Sequence, residues 1–233
     1  MNFSHKFFYV LTASAAAFLA AACAGTGDKN TETQKSPAAP ASANAPVPVS
    51  AKAALTFAQA DAARAKNRVP AVKPSEAQQK IDSDFNRKFF PLRDAYRRKG
   101  GDAEIYELEK LLKEPNVSPA VLAQIPLCIV EAAGGKRNYN HVVDTATRAL
   151  TGPYKFPSSA RGALLFARAG ALEQRKDYAG AADDLLARLA EDVPDNDLFQ
   201  QQRRIILLYN RAGQPAVADA LAAELLASGT LTP

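Results

Sequence analysis

The chain has 233 residues, and 47% of them are hydrophobic, which is enough apolar content for a globular domain of ordinary size. Its 29 Lys and Arg residues against 24 Asp and Glu residues give a formal net charge of +5 at pH 7. This mild excess is not the strong, clustered basicity that is typical of nucleic-acid-binding proteins, so composition argues against that class.

The first 22 residues have the pattern of an export signal. A short segment with one basic residue, Lys6, precedes an almost uninterrupted apolar run from Phe7 to Leu19. That run is shorter than the roughly 20 residues that a membrane-spanning helix needs, and it has the length of the apolar region of a secretory signal. Three alanines then lead to Cys23. We therefore predict that residues 1–22 are a signal peptide.

The segment Leu19-Ala-Ala-Ala-Cys23 resembles the lipobox of bacterial lipoproteins. The resemblance implies that the Cys23 thiol receives a diacylglyceryl group, that the chain is cut before this residue, and that its new N-terminus receives a fatty acyl chain such as palmitate. Ala20 stands where the usual lipobox has leucine. Ala24 follows the cysteine in place of aspartate, which resembles lipoproteins sorted to the outer membrane, facing the periplasm. The alternative is an ordinary secretory signal cut near Ala22 or Ala24, with Cys23 incidental.

A low-complexity linker is predicted after Cys23. Residues 36–50 consist almost entirely of proline, alanine and serine, with few large apolar side chains. Such a segment buries too little apolar surface on folding to offset the loss of chain entropy. We predict that residues 23–50 are the lipidated cysteine and a disordered linker, and that residues 51–74 include an alanine-rich helix. The pattern leaves open whether that helix packs on the domain.

Residues 75–233 are predicted to form a helical repeat domain. Apolar residues recur there at the three- and four-residue spacing of amphipathic helices, and no run shows the alternation of a strand. The predicted fold class is therefore all-α. Four of the helices are marked by Ile105, Leu108, Leu111 and Leu112; Val142, Val143, Ala146, Ala149 and Leu150; Ala181, Ala182, Leu185, Leu186 and Leu189; and Val217, Leu221 and Leu225.

Each of these four helices follows a predicted tight turn, and each turn follows another helix. Aligning the turns on Asp102, Tyr139, Tyr178 and Pro215 gives spacings of 37, 39 and 37 residues. A unit of helix, turn and helix cannot bury its apolar face alone, whereas stacked copies build a continuous core. The pattern predicts a helical-hairpin solenoid, and a compact helical bundle is the alternative.

The unit from Ala163 to Pro194 resembles the tetratricopeptide repeat. The resemblance extends over about residues 81–229, but the repeats are longer than the roughly 34 residues of that family and the other three copies match poorly. It implies an α-α superhelix that binds extended peptides or partner proteins in a groove formed by the first helix of each repeat. The matching residues are Leu165, Ala169 and Leu172 on the first helix, Tyr178 at the turn, Ala181 and Leu185 on the second helix, and Pro194 at the exit.

The groove positions of that family can be carried onto this chain through the same alignment. They form a mixed polar surface with a few aromatic positions, which suits a peptide backbone and some of its side chains. A shift of one residue in the alignment rotates the set by about 100° around each helix. The residues that the resemblance assigns to this partner-binding groove are Arg87, Phe90, Asp94, Arg97, Gln124, Leu127, Glu131, Phe166, Glu173, Gln200, Arg203 and Asn210.

No arrangement of residues in the sequence indicates catalysis. The two histidines are His5, in the signal, and His141, and the motifs of zinc peptidases, redox dithiols and phosphate-binding loops are absent. Asp183 and Asp184 are predicted to face solvent, and Cys128 to be a buried free thiol. We therefore expect a protein that is not an enzyme and uses no cofactor or metal. The alternative is an envelope- or cell-wall-modifying enzyme, or its regulator, with an unrecognised site.

Residues 86–99 mix basic and aromatic side chains and allow two interpretations. They form either a contact surface for an acidic or membrane partner, or a first helix whose aromatic side chains enter the core; we favour the second. The sequence as a whole predicts an outer-membrane-anchored scaffold or assembly adaptor. Its expected partners are the membrane, through the lipid, and an unidentified envelope protein or peptide, but not nucleic acid or metal.

Overall fold

The computed structural model of the protein describes residues 55–68, 73–191 and 198–228. The predicted signal peptide, Cys23, the linker to residue 50 and Pro194 lie outside the described residues. All the regular structure of the described residues is helical, which confirms the predicted all-α class. The helices are α1 (Phe57–Asn67), α2 (Glu76–Lys99), α3 (Asp102–Leu111), α4 (Pro119–Leu122), α5 (Gln124–Gly135), α6 (Tyr139–Thr151), α7 (Ser158–Gln174), α8 (Tyr178–Leu189), α9 (Leu198–Arg211) and α10 (Pro215–Ala227).

Residues at the helix ends explain where the helices begin. The Ser75 hydroxyl accepts a hydrogen bond from the N–H of Gln78 at the start of α2, over 3.2 Å. The Asp177 carboxylate accepts one from the N–H of Gly180 at the start of α8, over 3.0 Å. Both bonds satisfy N–H groups that lack a partner within the helix. Pro215 is the first residue of α10, where its fixed φ suits a helix and its missing N–H costs nothing.

Four tight turns repeat along the chain with one backbone conformation. Each contains a residue in the left-handed region, namely Gly100, Arg137, Lys176 and Gly213, with φ between 57° and 73°. These residues are separated by 37, 39 and 37 positions, the spacings found in the sequence for the predicted turns. At the last three turns, the N–H group of the next residue donates to the carbonyl oxygen five residues earlier, over 2.9 Å in each case.

The helices pack mainly in chain order. The turns join four pairs, α2 with α3, α5 with α6, α7 with α8, and α9 with α10, and the members of each pair pack on each other. The second helix of each of the first three pairs also packs on the first helix of the next pair. The first helices of the first three pairs contact one another in sequence. Stacked helical hairpins produce this order of contacts; a continuous superhelical path through them stays a prediction.

Two hydrophobic clusters form the core. The first lies mainly among α2–α7 and contains the aromatic residues Phe85 and Phe89. The second joins α7–α10 with α1, and leucine and alanine dominate it. Ala169 of α7 and Ala181 of α8 have no exposed surface. Their small side chains allow these two helices to pack closely.

Helix α1 packs on α8 and α10, the second helices of the last two pairs. The sequence had left open whether the helix within residues 51–74 packs on the domain, and in the structure it does. Its residues Phe57 and Ala60 are buried. The Glu224 carboxylate of α10 accepts hydrogen bonds from the first two backbone N–H groups of α1, over 3.0 and 2.7 Å. At the other end of α1, the Asn67 side-chain amide donates to the Ala190 carbonyl oxygen over 2.7 Å. Helix α1 is therefore held at both ends as well as by its apolar side.

Helix α2 runs through Pro91 without ending there, so residues 86–99 belong to one continuous helix. Phe89 and Tyr96 of this segment are buried, as is Phe85 one turn earlier. The rings of Phe85 and Phe89 stack with their centroids 6.0 Å apart. This arrangement supports the interpretation in which the aromatic side chains of the segment enter the core.

Candidate partner-binding surface

Two predicted groove residues meet between the first helices of the first two pairs. Arg97 of α2 donates to Glu131 of α5, with Nη2 at 2.7 Å from Oε2, and both side chains are exposed. Phe90 is half-buried and lies under the Arg93 guanidinium, whose central carbon is 4.8 Å from the ring centroid. Arg93 also pairs with Asp94 at 2.8 Å. This half of the surface is therefore polar, with one partly covered aromatic ring.

The remaining predicted residues of these two helices lie at or near the surface. Arg87 is exposed and pairs with Asp84, one turn earlier, at 3.2 Å. Gln124 and Leu127 of α5 are half-buried, and Leu127 packs against the first hydrophobic cluster. Arg87 and Gln124 therefore remain available at the surface, whereas Leu127 belongs largely to the core.

The surface between α7 and α9 is built around Phe166. This half-buried ring lies beside two guanidinium groups, with the central carbon of Arg188 at 4.5 Å and that of Arg204 at 5.8 Å from its centroid. An aromatic face attracts a cation by about 0.5–1 kcal/mol at exposed sites. Arg188 also donates to the Gln201 side chain, and Arg204 donates to Glu173. Hydrogen bonds and the ring together hold both cations in place.

The side of α9 that faces α7 carries other residues than those that the alignment assigned to the groove. Arg204 and Arg211 are the α9 residues that pair with Glu173, the second of them at 3.7 Å. The assigned residues Arg203 and Asn210 each precede these by one position and are exposed. One position is about 100° around a helix, which is enough to move a side chain from the contact with α7 to solvent.

The residues assigned to α9 form its solvent-facing side. Gln200, Arg203 and Asn210 are all exposed. The Arg203 guanidinium carbon lies 6.0 Å from the centroid of the Phe199 ring, and in the described part of the chain this guanidinium has no carboxylate partner. One cation and two neutral amides can thus hydrogen-bond to acidic or neutral groups of a peptide.

The sequence reasoning missed Arg188, Arg204 and Arg211. Phe166 and Glu173 are seven residues apart, and so are Arg204 and Arg211. Residues seven apart lie on the same side of a helix. The assigned Arg203 and Asn210 have the same spacing, so spacing alone could not show which side of α9 faces α7.

The prediction that Asp184 faces solvent is wrong. Its carboxylate is buried and accepts two hydrogen bonds from the Arg168 guanidinium of α7, over 2.7 and 2.6 Å. The third bond of this guanidinium goes to the Thr147 hydroxyl of α6, over 2.9 Å. Because α8 packs against α1, α7 and α9, more than one of its sides is covered, which a single apolar stripe did not reveal. Asp183, the neighbour, is exposed as predicted.

Burial raises the pKa values of titratable groups in the core, among them Tyr209 and Cys128. It raises the pKa of Tyr209 above its usual range, and a hydrogen bond from the Tyr209 hydroxyl to Asp183, over 2.6 Å, adds to the effect. Burial also raises the pKa of the Cys128 thiol to about 11. The thiol is therefore neutral at pH 7 and packs as a small apolar side chain, which confirms the predicted buried cysteine.

The remaining histidine lies on a shallow depression of α6. His141, Asp144, Thr147 and Arg148 line this depression, and all four come from one side of one helix. Over residues 55–68, 73–191 and 198–228, no three His, Cys, Asp or Glu side chains are grouped so that they could hold a metal ion. Within the same ranges, no helix has the length and apolar content needed to cross a bilayer.

Comparisons with known proteins do not place the chain in a family. Searches of protein-family models, curated proteins and solved structures each found no match. The fold and the surface described above are therefore the basis for the functional proposal, together with the pattern of the N-terminal sequence.

Proposed function

We propose that the protein is a lipid-anchored scaffold or assembly adaptor, held at the outer membrane and facing the periplasm, that binds a partner protein or peptide. The binding surface is the side formed by the first helices of the four pairs, which we call the inner face. It is defined by Arg97 and Glu131 in its first half and by Phe166, Arg203 and Asn210 in its second half. The proposal rests on the N-terminal sequence for the anchor and on the inner face for the binding.

The arrangement around Phe166 is the observation that carries the binding proposal. Aromatic and arginine side chains are enriched among the residues that dominate the free energy of protein–protein binding. Here a half-buried ring lies beside Arg188 and Arg204, and both guanidiniums are already held by hydrogen bonds. A partner that covers this ring would order few side chains on binding, which lowers the entropic cost of association.

The exposed polar residues of α9 favour a peptide as the partner. Gln200, Arg203 and Asn210 follow one another along the solvent-facing side of α9. Their amide and guanidinium groups match the carbonyl oxygens and carboxylates of an extended chain. The face therefore combines an apolar contact with hydrogen-bonding groups, as a peptide-binding surface requires.

The proposed anchor follows from the lipobox-like segment that ends at Cys23. Several acyl chains bind a bilayer far more firmly than one, because each buried CH₂ group contributes about 0.8 kcal/mol. Residues 24–50 would then act as an arm that holds the folded domain tens of ångströms from the bilayer, since proline-rich segments extend by about 3.1 Å per residue. Replacing Cys23 by serine should abolish incorporation of labelled palmitate; labelling that persists would contradict the anchor.

Site-specific photocrosslinking in intact envelopes tests the inner face. Benzoylphenylalanine in place of Asn210 should give discrete protein adducts, because this position lies on the proposed binding surface. The same group in place of Lys113, which is exposed in a loop away from the inner face, is the matched control. Adding Arg203→Glu to the first variant should remove its adducts by reversing the charge next to the partner.

The outcomes of this experiment separate specific binding from chance proximity. Adducts at position 210 that disappear with Arg203→Glu, together with none at position 113, support the adaptor function. Equal adducts at both positions, or adducts that Arg203→Glu leaves unchanged, contradict it. Circular dichroism of each variant checks that the helical fold is kept.

A further inference from the structure

The turns within the helix pairs carry a set of exposed cations. These are Arg98 beside the first turn, Lys136 and Arg137 in the second, and Arg175 and Lys176 in the third. None of the five forms an ion pair with a described carboxylate, whereas cations on the sides of the helices are commonly paired. We call this set the basic edge.

Contacts between turns place the basic edge along one side of the domain. The Lys136 ammonium lies 5.9 Å from the centroid of the Tyr96 ring and directly against Gly100 of the first turn. Arg211, at the fourth turn, lies 6.0 Å from the ring of Tyr178, which follows the third turn. Helices α5 and α7, which lead into the second and third turns, pack on each other. The four turns therefore follow one another along a single edge.

Two of these cations occupy backbone positions that favour glycine. Arg137 and Lys176 have φ values of 57° and 64°, and the matching positions of the other two turns are Gly100 and Gly213. This region is disfavoured for residues with a Cβ atom. The helix dipole accounts for cations in the last turn of a helix, but glycine is the residue that usually follows that turn. The chain thus places positive charge here despite a less favourable backbone conformation.

The acidic residues of this edge are engaged by helix N-termini. Asp177 caps α8, and Asp102 lies in the first turn of α3, where the helix dipole attracts negative charge. The opposite edge is formed by the loops that follow α3, α6 and α8. It carries the exposed Lys113 and Lys155, two cations against the five of the basic edge. Positive charge is therefore concentrated on one of the two edges.

We propose that the basic edge docks on a bilayer that contains anionic phospholipids. Packed helices are about 8–10 Å apart, so the three successive turns that carry the five cations extend over roughly 20 Å. A row of long, flexible cations of this length can reach the phosphates of a planar surface at each of these three turns. The five charges are spread along the edge, whereas recognition of one small anion requires charges gathered at one point.

This inference rests on the proposed function in one respect: a lipid on Cys23 would keep the domain beside a membrane. The docking itself needs no lipid on the chain. Each basic residue near an anionic surface raises the partition coefficient about fivefold. The effect decays over a Debye length of about 10 Å at 0.1 M ionic strength, so added salt should weaken it.

Vesicle co-sedimentation of the unlipidated chain from residue 24 onward, which keeps every described residue, tests the docking. We expect binding to phosphatidylcholine vesicles that contain phosphatidylglycerol, and much weaker binding to vesicles of phosphatidylcholine alone. Arg137→Gly and Lys176→Gly should each lower the partition coefficient about fivefold and together about 25-fold. Because glycine suits φ > 0, these variants should melt at or above the temperature of the wild type, so misfolding cannot explain the loss.

The control removes the same charge from the opposite edge. The double variant Lys113→Ser, Lys155→Ser should bind the anionic vesicles as the wild type does. The proposal is overturned if the double glycine variant binds like the wild type, if the two edges respond equally, or if the chain binds soluble polyphosphate but not the vesicles. Crosslinking at position 210 reports on partner binding separately, so either proposal can fail without the other.

Discussion

The two halves of the helical stack share one backbone repeat but are held together by different interactions. Between α2 and α6 the core is aromatic and aliphatic, and the ion pairs, such as Arg97 with Glu131, lie at the surface. Between α7 and α10 the core is leucine and alanine, and the ion pairs include the largely buried pair of Arg168 and Asp184. The four turns therefore share one backbone geometry, whereas the side-chain interactions that stabilise the helices differ between the two halves.

The largest expected effect comes from the aromatic core of the first half. Phe89→Ala should lower the free energy of unfolding by about 3–5 kcal/mol, because Phe89 is almost fully buried and its loss leaves a cavity. Urea denaturation measures the change. Tyr106→Ala, on an exposed aromatic of the same half, should cost less than about 0.5 kcal/mol. Hydrogen exchange should show the loss of protection in α2–α6 before α9 and α10; uniform loss would contradict two separable halves.

The buried ion pair of the second half should give the next largest effect. Asp184→Ala leaves the Arg168 guanidinium in a buried site without its carboxylate and should cost about 3 kcal/mol, again measured by urea denaturation. The double variant Arg168→Met, Asp184→Leu should recover most of this loss, since apolar residues of similar volume can replace a buried pair. A double variant as unstable as Asp184→Ala would show that the pair does more than neutralise buried charge.

The docking of α1 should respond to one side chain of α10. Glu224→Ala removes the carboxylate that accepts from the first two N–H groups of α1 and should cost about 1–2 kcal/mol, the range of a lost helix cap. Hydrogen exchange of α1 amides should speed up, while that of α5 and α6 stays the same. Asp219→Ala, which removes an exposed carboxylate from the same helix, is the control and should leave α1 unchanged.

The smallest effect is expected for the exposed ion pair of the first half. A double-mutant cycle on Arg97→Ala and Glu131→Ala should give an interaction free energy below about 1 kcal/mol, because solvent and salt screen both side chains. The same cycle on Arg168 and Asp184 should give a clearly larger value. Equal values for the two cycles would remove the contrast between the halves.

Local patterns in the sequence predicted the parts of the fold that depend on neighbouring residues. The turns around Gly100 and Gly213 follow from glycine and from the helix signals on either side. The docking of α1 could not be predicted in this way, because Glu224 lies 167 residues from the N–H of Phe57 that it binds. The burial of Asp184 could not be predicted either, because it depends on the three helices that pack against α8 and not on the apolar stripe of α8 alone.

The candidate surface was predictable to the level of helices but not of side chains. The alignment assigned Phe166 of α7 and three residues of α9 to one surface. It did not give the rotation of α9 about its axis: Arg204, and not the assigned Arg203, lies beside the Phe166 ring. Rotation is decided by packing against the neighbouring helix, and the spacing of turns contains no information about it.

The position of α1 has a consequence for the order in which the molecule can fold. Stacked hairpins depend on contacts between near neighbours in the chain, which usually form fast. Helix α1 comes first in the sequence, yet it packs on α8 and α10. The surface on which it packs therefore exists only after the last pair has formed. Among the described residues the docking of α1 is the contact of highest sequence separation, and it reports that the last two pairs are complete.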